Sequence, residues 1–78
     1  MDLIQVTARF DQDGNITPQE FTWKGRQYTP DSIGRRWQDE KGAHILVMIP
    51  GGRVFELLFV AAEGCWYLGR PGAGRMLA

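Results

Sequence analysis

One cysteine, one histidine and a net charge of zero give this 78-residue chain few of the usual signs of chemistry. Cys65 alone cannot close an internal disulfide, which suits a reducing compartment, and the cytoplasm is the expected location. Together with His44 it offers too few ligands for a structural zinc site, so no metal or other cofactor is expected. Nine basic and nine acidic residues cancel, so the overall charge of a typical nucleic-acid binder is missing. The chain has no apolar run of the length a membrane helix needs and no basic, apolar, small-residue leader, so neither spanning nor secretion is expected. The glycines stand between short apolar runs, and none forms a phosphate-cradling loop ahead of a helix.

What is present is apolar and punctuated. Hydrophobic residues make up 44% of the sequence, with three tryptophans and ten glycines. That is enough to build one core without covalent staples, and short apolar runs between glycines favour an all-β domain. One domain is expected over residues 1–70, followed by a flexible C-terminal tail, 71–78, with two spaced glycines and no period.

The densest patterning lies between residues 43 and 70, where apolar strands are cut at Gly51-Gly52 and Glu63-Gly64. Such a pattern makes an antiparallel meander. Taking Gly51-Gly52 as an even-length loop sets Ile49 opposite Val54, Met48 opposite Phe55 and Leu46 opposite Leu57. Taking the second turn likewise sets Ala61 opposite Trp66 and Phe59 opposite Leu68. One face then carries His44, Leu46, Met48, Phe55, Leu57, Phe59, Ala61, Trp66 and Leu68, and reads as core. The other carries Ile45, Val47, Ile49, Val54, Glu56, Leu58, Val60, Cys65 and Tyr67. That second face is too apolar for the solvated side of a half-buried sheet. It is expected either to close on itself or to serve as a protein contact through Ile45, Val47, Ile49, Leu58, Val60 and Tyr67.

Ahead of the meander, residues 4–10 alternate as a half-buried strand, with Ile4, Val6, Ala8 and Phe10 on one side. Turn formers follow. Asp11, Asp13 and Asn15 have alternate spacing like a calcium loop, but Ile16 and Thr22 stand where an EF-hand needs its glycine and its bidentate glutamate. Residues 20–29 read as a hairpin turning at Lys24-Gly25, with Phe21 opposite Tyr28 and Trp23 opposite Arg26. Arg26 over the Trp23 ring would add a cation–π contact. Residues 33–38 read as a strand, and Thr29-Pro30 also admits one short helical turn.

No catalytic constellation emerges. His44 and Cys65 form the one nucleophile–base pair to consider, and the register above sets them on opposite faces. Glu56, the one charge on the apolar second face, is the carboxylate whose pKa burial would raise. An arginine nearby, across an edge or an interface, would explain it equally well.

Four stretches carry a resemblance: Phe21-Thr22-Trp23-Lys24-Gly25-Arg26-Gln27-Tyr28, then Ile33 with Arg36-Trp37, then Val54-Phe55-Glu56-Leu57, and finally Trp66-Tyr67-Leu68. In these the chain resembles a family of small bacterial domains of unknown function, some of which look like pieces encoded beside translesion DNA polymerases. The resemblance implies a link to DNA repair and carries no catalytic residues. Ala43-His44-Ile45 stands where that family usually has a tryptophan pair and charged residues in the middle hairpin.

The expectation is therefore an all-β antiparallel meander of five to seven strands curled into a small SH3-like or split barrel. Its expected role is that of a non-catalytic interaction module, self-associating or binding a protein partner. The alternative is weak single-stranded nucleic-acid binding through Trp23, Arg26, Arg35, Arg36 and Trp37, where arginines accompany aromatics.

Overall fold

A computed structural model describes residues 2–69; the expected tail, 71–78, lies outside them. Seven antiparallel strands follow one another as β1 (Asp2–Phe10), β2 (Ile16–Trp23), β3 (Arg26–Tyr28), β4 (Ser32–Asp39), β5 (Gly42–Ile49), β6 (Arg53–Val60) and β7 (Cys65–Leu68). They form one curled half-barrel sheet in the order β3-β2-β1-β7-β6-β5-β4. Residues 33–38 are strand, and the short helical turn is not formed there or elsewhere among the described residues. Among the described residues no helix is long and apolar enough to cross a membrane.

The hairpin at Lys24-Gly25 forms as expected, with Phe21 opposite Tyr28 and Trp23 opposite Arg26. Both turn residues have positive φ, 52° and 74°, the conformation of a type I′ turn whose twist matches its strands. Lys24 rather than Arg26 takes the ring, its Nζ 4.9 Å from the Trp23 centroid.

The next turn overturns the expected register. Pro50, Gly51 and Gly52 form a three-residue loop, because Ile49 pairs with Arg53 and the Gly52 amide donates to the Ile49 carbonyl. Proline's fixed φ suits the second position of a turn, and Gly51 supplies the positive φ, 100°, that the third then needs. An odd loop inverts β5 relative to β6. Val47 faces Phe55 and Ile45 faces Leu57, so Ile45, Val47 and Ile49 belong to the core instead of an exposed contact face. The following loop keeps its parity but slips by two, setting Phe59 opposite Trp66 and Leu57 opposite Leu68.

The concave inner face thus gathers Ile4, Phe21, Ile45, Val47, Ile49, Phe55, Leu57, Trp66 and Leu68, all buried. Phe55, Leu57 and Val47 are fully enclosed, each contributing about 1.5–3 kcal/mol of burial. Two bulges bend the sheet around this core. In β2 the pairing steps from Thr7–Glu20 to Ala8–Pro18, leaving Gln19 extra; a bulge is where a strand tolerates proline's missing N–H. In β4 the pairing steps from Ile33–Val47 to Arg36–Ile45. Ile33 and Arg36 therefore both turn inward, and Trp37 turns outward. Four-residue spacing between Ile33 and Trp37 fits a shared face in a helix or a regular strand, and the bulge breaks it.

Candidate functional site

The convex outer face is organised by one row of side chains that crosses five adjacent strands. Leu3 pairs with Tyr67, Tyr67 with Leu58, Leu58 with His44, and His44 with Trp37. Leu46, Met48, Val54 and Val60 flank the row on the same side. Leu3 is 67% exposed, so the β1 end of the row stands open to solvent. Of the six residues expected to form a contact, Leu58, Val60 and Tyr67 remain on this face, Val60 and Tyr67 part-exposed and Leu58 buried. Leu46 and Met48 replace the three that turned inward.

At the other end of the row His44 is buried, at 5% exposure. Its Nδ1 lies 2.7 Å from Glu56 Oε2 and its Nε2 lies 2.9 Å from Asp39 Oδ1. Glu56 reaches it from the neighbouring strand, one position along the outer face. Asp39 reaches it from the end of β4, where its carboxylate also accepts the Lys41 and Gly42 amides of the turn. An ionised carboxylate only accepts, so both contacts are hydrogen bonds when each ring nitrogen carries a proton. The hydrogen bond from His44 holds the Asp39 carboxyl below its ordinary value of 3.8, and the Lys41 amide adds to this. Trp37 stacks on the imidazole, centroids 4.9 Å apart and planes 4° from parallel.

This arrangement leaves His44 no free nitrogen with which to take a proton from a substrate. Cys65 lies on the same sheet face as His44, since Val60 pairs with Cys65 and Leu58 with both His44 and Tyr67. That corrects the expectation of opposite faces. The cysteine thiol nonetheless contacts the Glu63 carbonyl at 3.5 Å, and the imidazole is committed to its two carboxylates. Glu56, expected to be the odd charge on an apolar face, has His44 as its partner. Tyr67 donates its hydroxyl to Glu63 at 2.7 Å, which raises the phenol above its ordinary value.

The five residues considered for nucleic-acid stacking are divided by the fold. Trp23 turns inward, edge-on to Phe55 at 5.7 Å, and its Nε1 donates to Asp2. Arg35 and Trp37 share the outer side of β4, with the guanidinium 5.2 Å from the ring centroid. Arg36 points the other way, donating to the Ile16 carbonyl and to Thr17 Oγ1, each at 3.3 Å. Arg26 lies exposed in β3, at the far edge of the sheet from β4. In the acidic loop, Asp11 Oδ1 accepts the Asp13 and Asn15 amides. Those bonds make a local turn and hold the Asp11 carboxyl below its usual range, the Asn15 amide most strongly.

The contact residues that sequence reasoning missed are Leu3, Leu46 and Met48, together with the Asp39–His44–Glu56 group. The signal for the group was the Pro-Gly pair at Pro50-Gly51, which favours the odd loop and so brings His44 to the side of Glu56. No family model matches the chain, and neither a curated protein nor a solved structure matches it.

Proposed function

We propose that this domain is a non-catalytic interaction module whose outer sheet face self-associates with a second copy of the chain. The observation that carries this reading is the outer face around the row from Leu3 to Trp37: Leu3 is exposed and Leu46, Met48, Val60, Tyr67 and Trp37 are part-exposed, while Leu58 and His44 lie buried among them. A patch of this kind on a small soluble domain marks a contact surface. Fully committed hydrogen bonding at His44 supports a structural role for the face's polar group. The single cysteine favours a reducing, cytoplasmic setting.

Magnitude decides what kind of contact it is. Five strands at about 4.8 Å spacing are about 19 Å across, and eight residues run about 26 Å, a footprint on the order of 500 Å². A standard interface takes about 800 Å² from each partner. The chain's whole accessible surface is 5112 Å², so the face is a substantial fraction of the molecule yet below that size. Association is therefore weak and concentration-dependent. Charge favours one orientation: Arg35 flanks the β4 end of the face, and Glu63, bonded to Tyr67, lies beside β7, one strand in from the other end. Packing β4 over the β7 of the second copy brings opposite charges together.

The test is light scattering behind size exclusion over a concentration series, for the native chain and for Leu3→Asp and Met48→Asp. Mass rising with concentration, abolished by both substitutions at unchanged melting temperature, supports the reading. A monomer at millimolar concentration overturns it and turns attention to a different protein partner.

A further inference from the structure

We infer that the free edge of β4 is a docking site for an extended acidic peptide segment of a partner protein, which adds as an eighth strand and places a carboxylate on Arg36. The inference rests on a different observation from self-association, the unpaired backbone edge of β4, although the two surfaces meet at Arg35 and Trp37.

The half-barrel has two ends. At one, β3 is only three residues long; at the other, β4 runs for eight residues and, among the described residues, is hydrogen-bonded to β5 alone. An edge strand of that length presents a row of unpaired backbone groups, the template for strand addition. Between this edge and the start of β2 the sheet does not close. A cleft of about 320 Å³ opens there, lined by Asn15 and Ile16 on one lip and by Arg36, Gln38 and Ile45 on the other.

Arg36 is the polar group that spans the cleft. It reaches Ile16 and Thr17 through one terminal nitrogen only, at 3.3 Å to each, and both acceptors are neutral. Among the described residues no carboxylate lies in ion-pair range of Arg36 or Arg35; the pairs present are those of His44. A guanidinium offers five donors in a planar fork that matches a carboxylate. An extended segment along β4 alternates its side chains across the sheet. Those on the inner side enter the cleft beside Ile16 and Ile45, where an acid meets Arg36. Those on the outer side lie by Arg35 and Trp37.

The same charges argue against a second copy as the occupant. Antiparallel pairing of β4 with itself about its midpoint sets Arg35 against Arg35, or Arg36 against Arg36, and like charges directly opposite are destabilising. Edge charges of this sort block self-pairing while leaving a complementary strand free to add.

The probe is a capped eight-residue peptide of alternating valine and glutamate, titrated into ¹⁵N-labelled full chain, with a valine–lysine peptide as its counterpart. Expected are amide shift changes concentrated along β4, with the lysine peptide at least about tenfold weaker. Arg36→Gln should weaken binding about fivefold while Arg26→Gln leaves it unchanged. Leu3→Asp, which addresses self-association, should leave peptide binding intact. Absence of β4 shifts at millimolar peptide overturns the inference, as does equal binding of the two peptides or a shift map centred on the outer face. Should Arg36→Gln perturb the fold, added salt supplies the second measurement: a salt-insensitive affinity overturns the role of charge.

Discussion

Trp37 and His44 stand directly opposite one another on β4 and β5, their rings 4.9 Å apart and 4° from parallel. The contact ties the edge strand to the sheet at the point where Asp39 and Glu56 close on the imidazole from two other positions. Four side chains on three strands thus form one hydrogen-bonded, stacked unit on the outer face, with the Arg35 guanidinium beside it over Trp37. Its polar atoms are satisfied, and no buried side-chain nitrogen or oxygen among the described residues lacks a partner.

Replacing His44 by leucine is expected to destabilise the domain by about 1–3 kcal/mol at neutral pH, since two carboxylates lose their donor while facing the same apolar side chain. Chemical denaturation at pH 7 measures it. A loss under about 0.5 kcal/mol would mean the cluster contributes no more than an ordinary surface pair.

Acid should weaken the fold in a way that involves Asp39. Its folded pKa lies below the unfolded value of 3.8, so its contribution is fully present above that value. It is lost as pH falls through the folded pKa. Asp39→Asn is expected to flatten the decline in melting temperature below about pH 4. Asp11, lowered in the same sense, leaves a residual decline in that variant. Identical acid profiles for the two proteins would exclude the linkage.

Neighbouring positions on β5 should respond oppositely to one substitution. Val47 is fully buried on the inner face and Met48 is part-exposed on the outer one. Val47→Asp is expected to unfold the domain, costing about 4 kcal/mol or more of the roughly 4–12 kcal/mol a chain of this size possesses. Met48→Asp should fold. Circular dichroism of the pair tests the odd-loop register directly, because the even-loop register reverses the two outcomes.

Gly42 opens β5 with a φ of 150°, and a Cβ there would fall inside contact distance of the Phe59 carbonyl oxygen. Gly42→Ala is therefore expected to cost about 2–3 kcal/mol, through backbone displacement of a neighbouring strand. Gly14→Ala, whose Cβ would meet open space, should cost about 1 kcal/mol from φ strain alone. Comparable melting temperatures for the two variants would contradict the close approach.

Much of the architecture was legible in the chain. Strict alternation from Ile4 to Phe10 marks β1, although Phe10 itself is exposed, and the two-residue Lys24-Gly25 turn pins the β2–β3 register because its geometry allows only one pairing. All-β character and a single curled sheet follow from short apolar runs between glycines. The candidate face was half legible: Leu58, Val60 and Tyr67 were placed together on it, while the partners on β5 were exchanged.

Sequence by itself determined that strands form and where they turn, since those depend on local dihedral preferences and on period-two patterning. Which face of β5 meets the core was decided only in three dimensions. Ile45, Val47 and Ile49 are as apolar as Leu46 and Met48 beside them, so alternation does not distinguish the two sides of that strand. One residue of loop length at Pro50-Gly51-Gly52 settled it, because a step of one exchanges the faces. The same step carried His44 to the side of Glu56, and the β4–β5 pairing brought Asp39 to it. Those two carboxylates stand 12 positions after and 5 positions before the histidine, and the distance between them is set by the pairing of β4, β5 and β6.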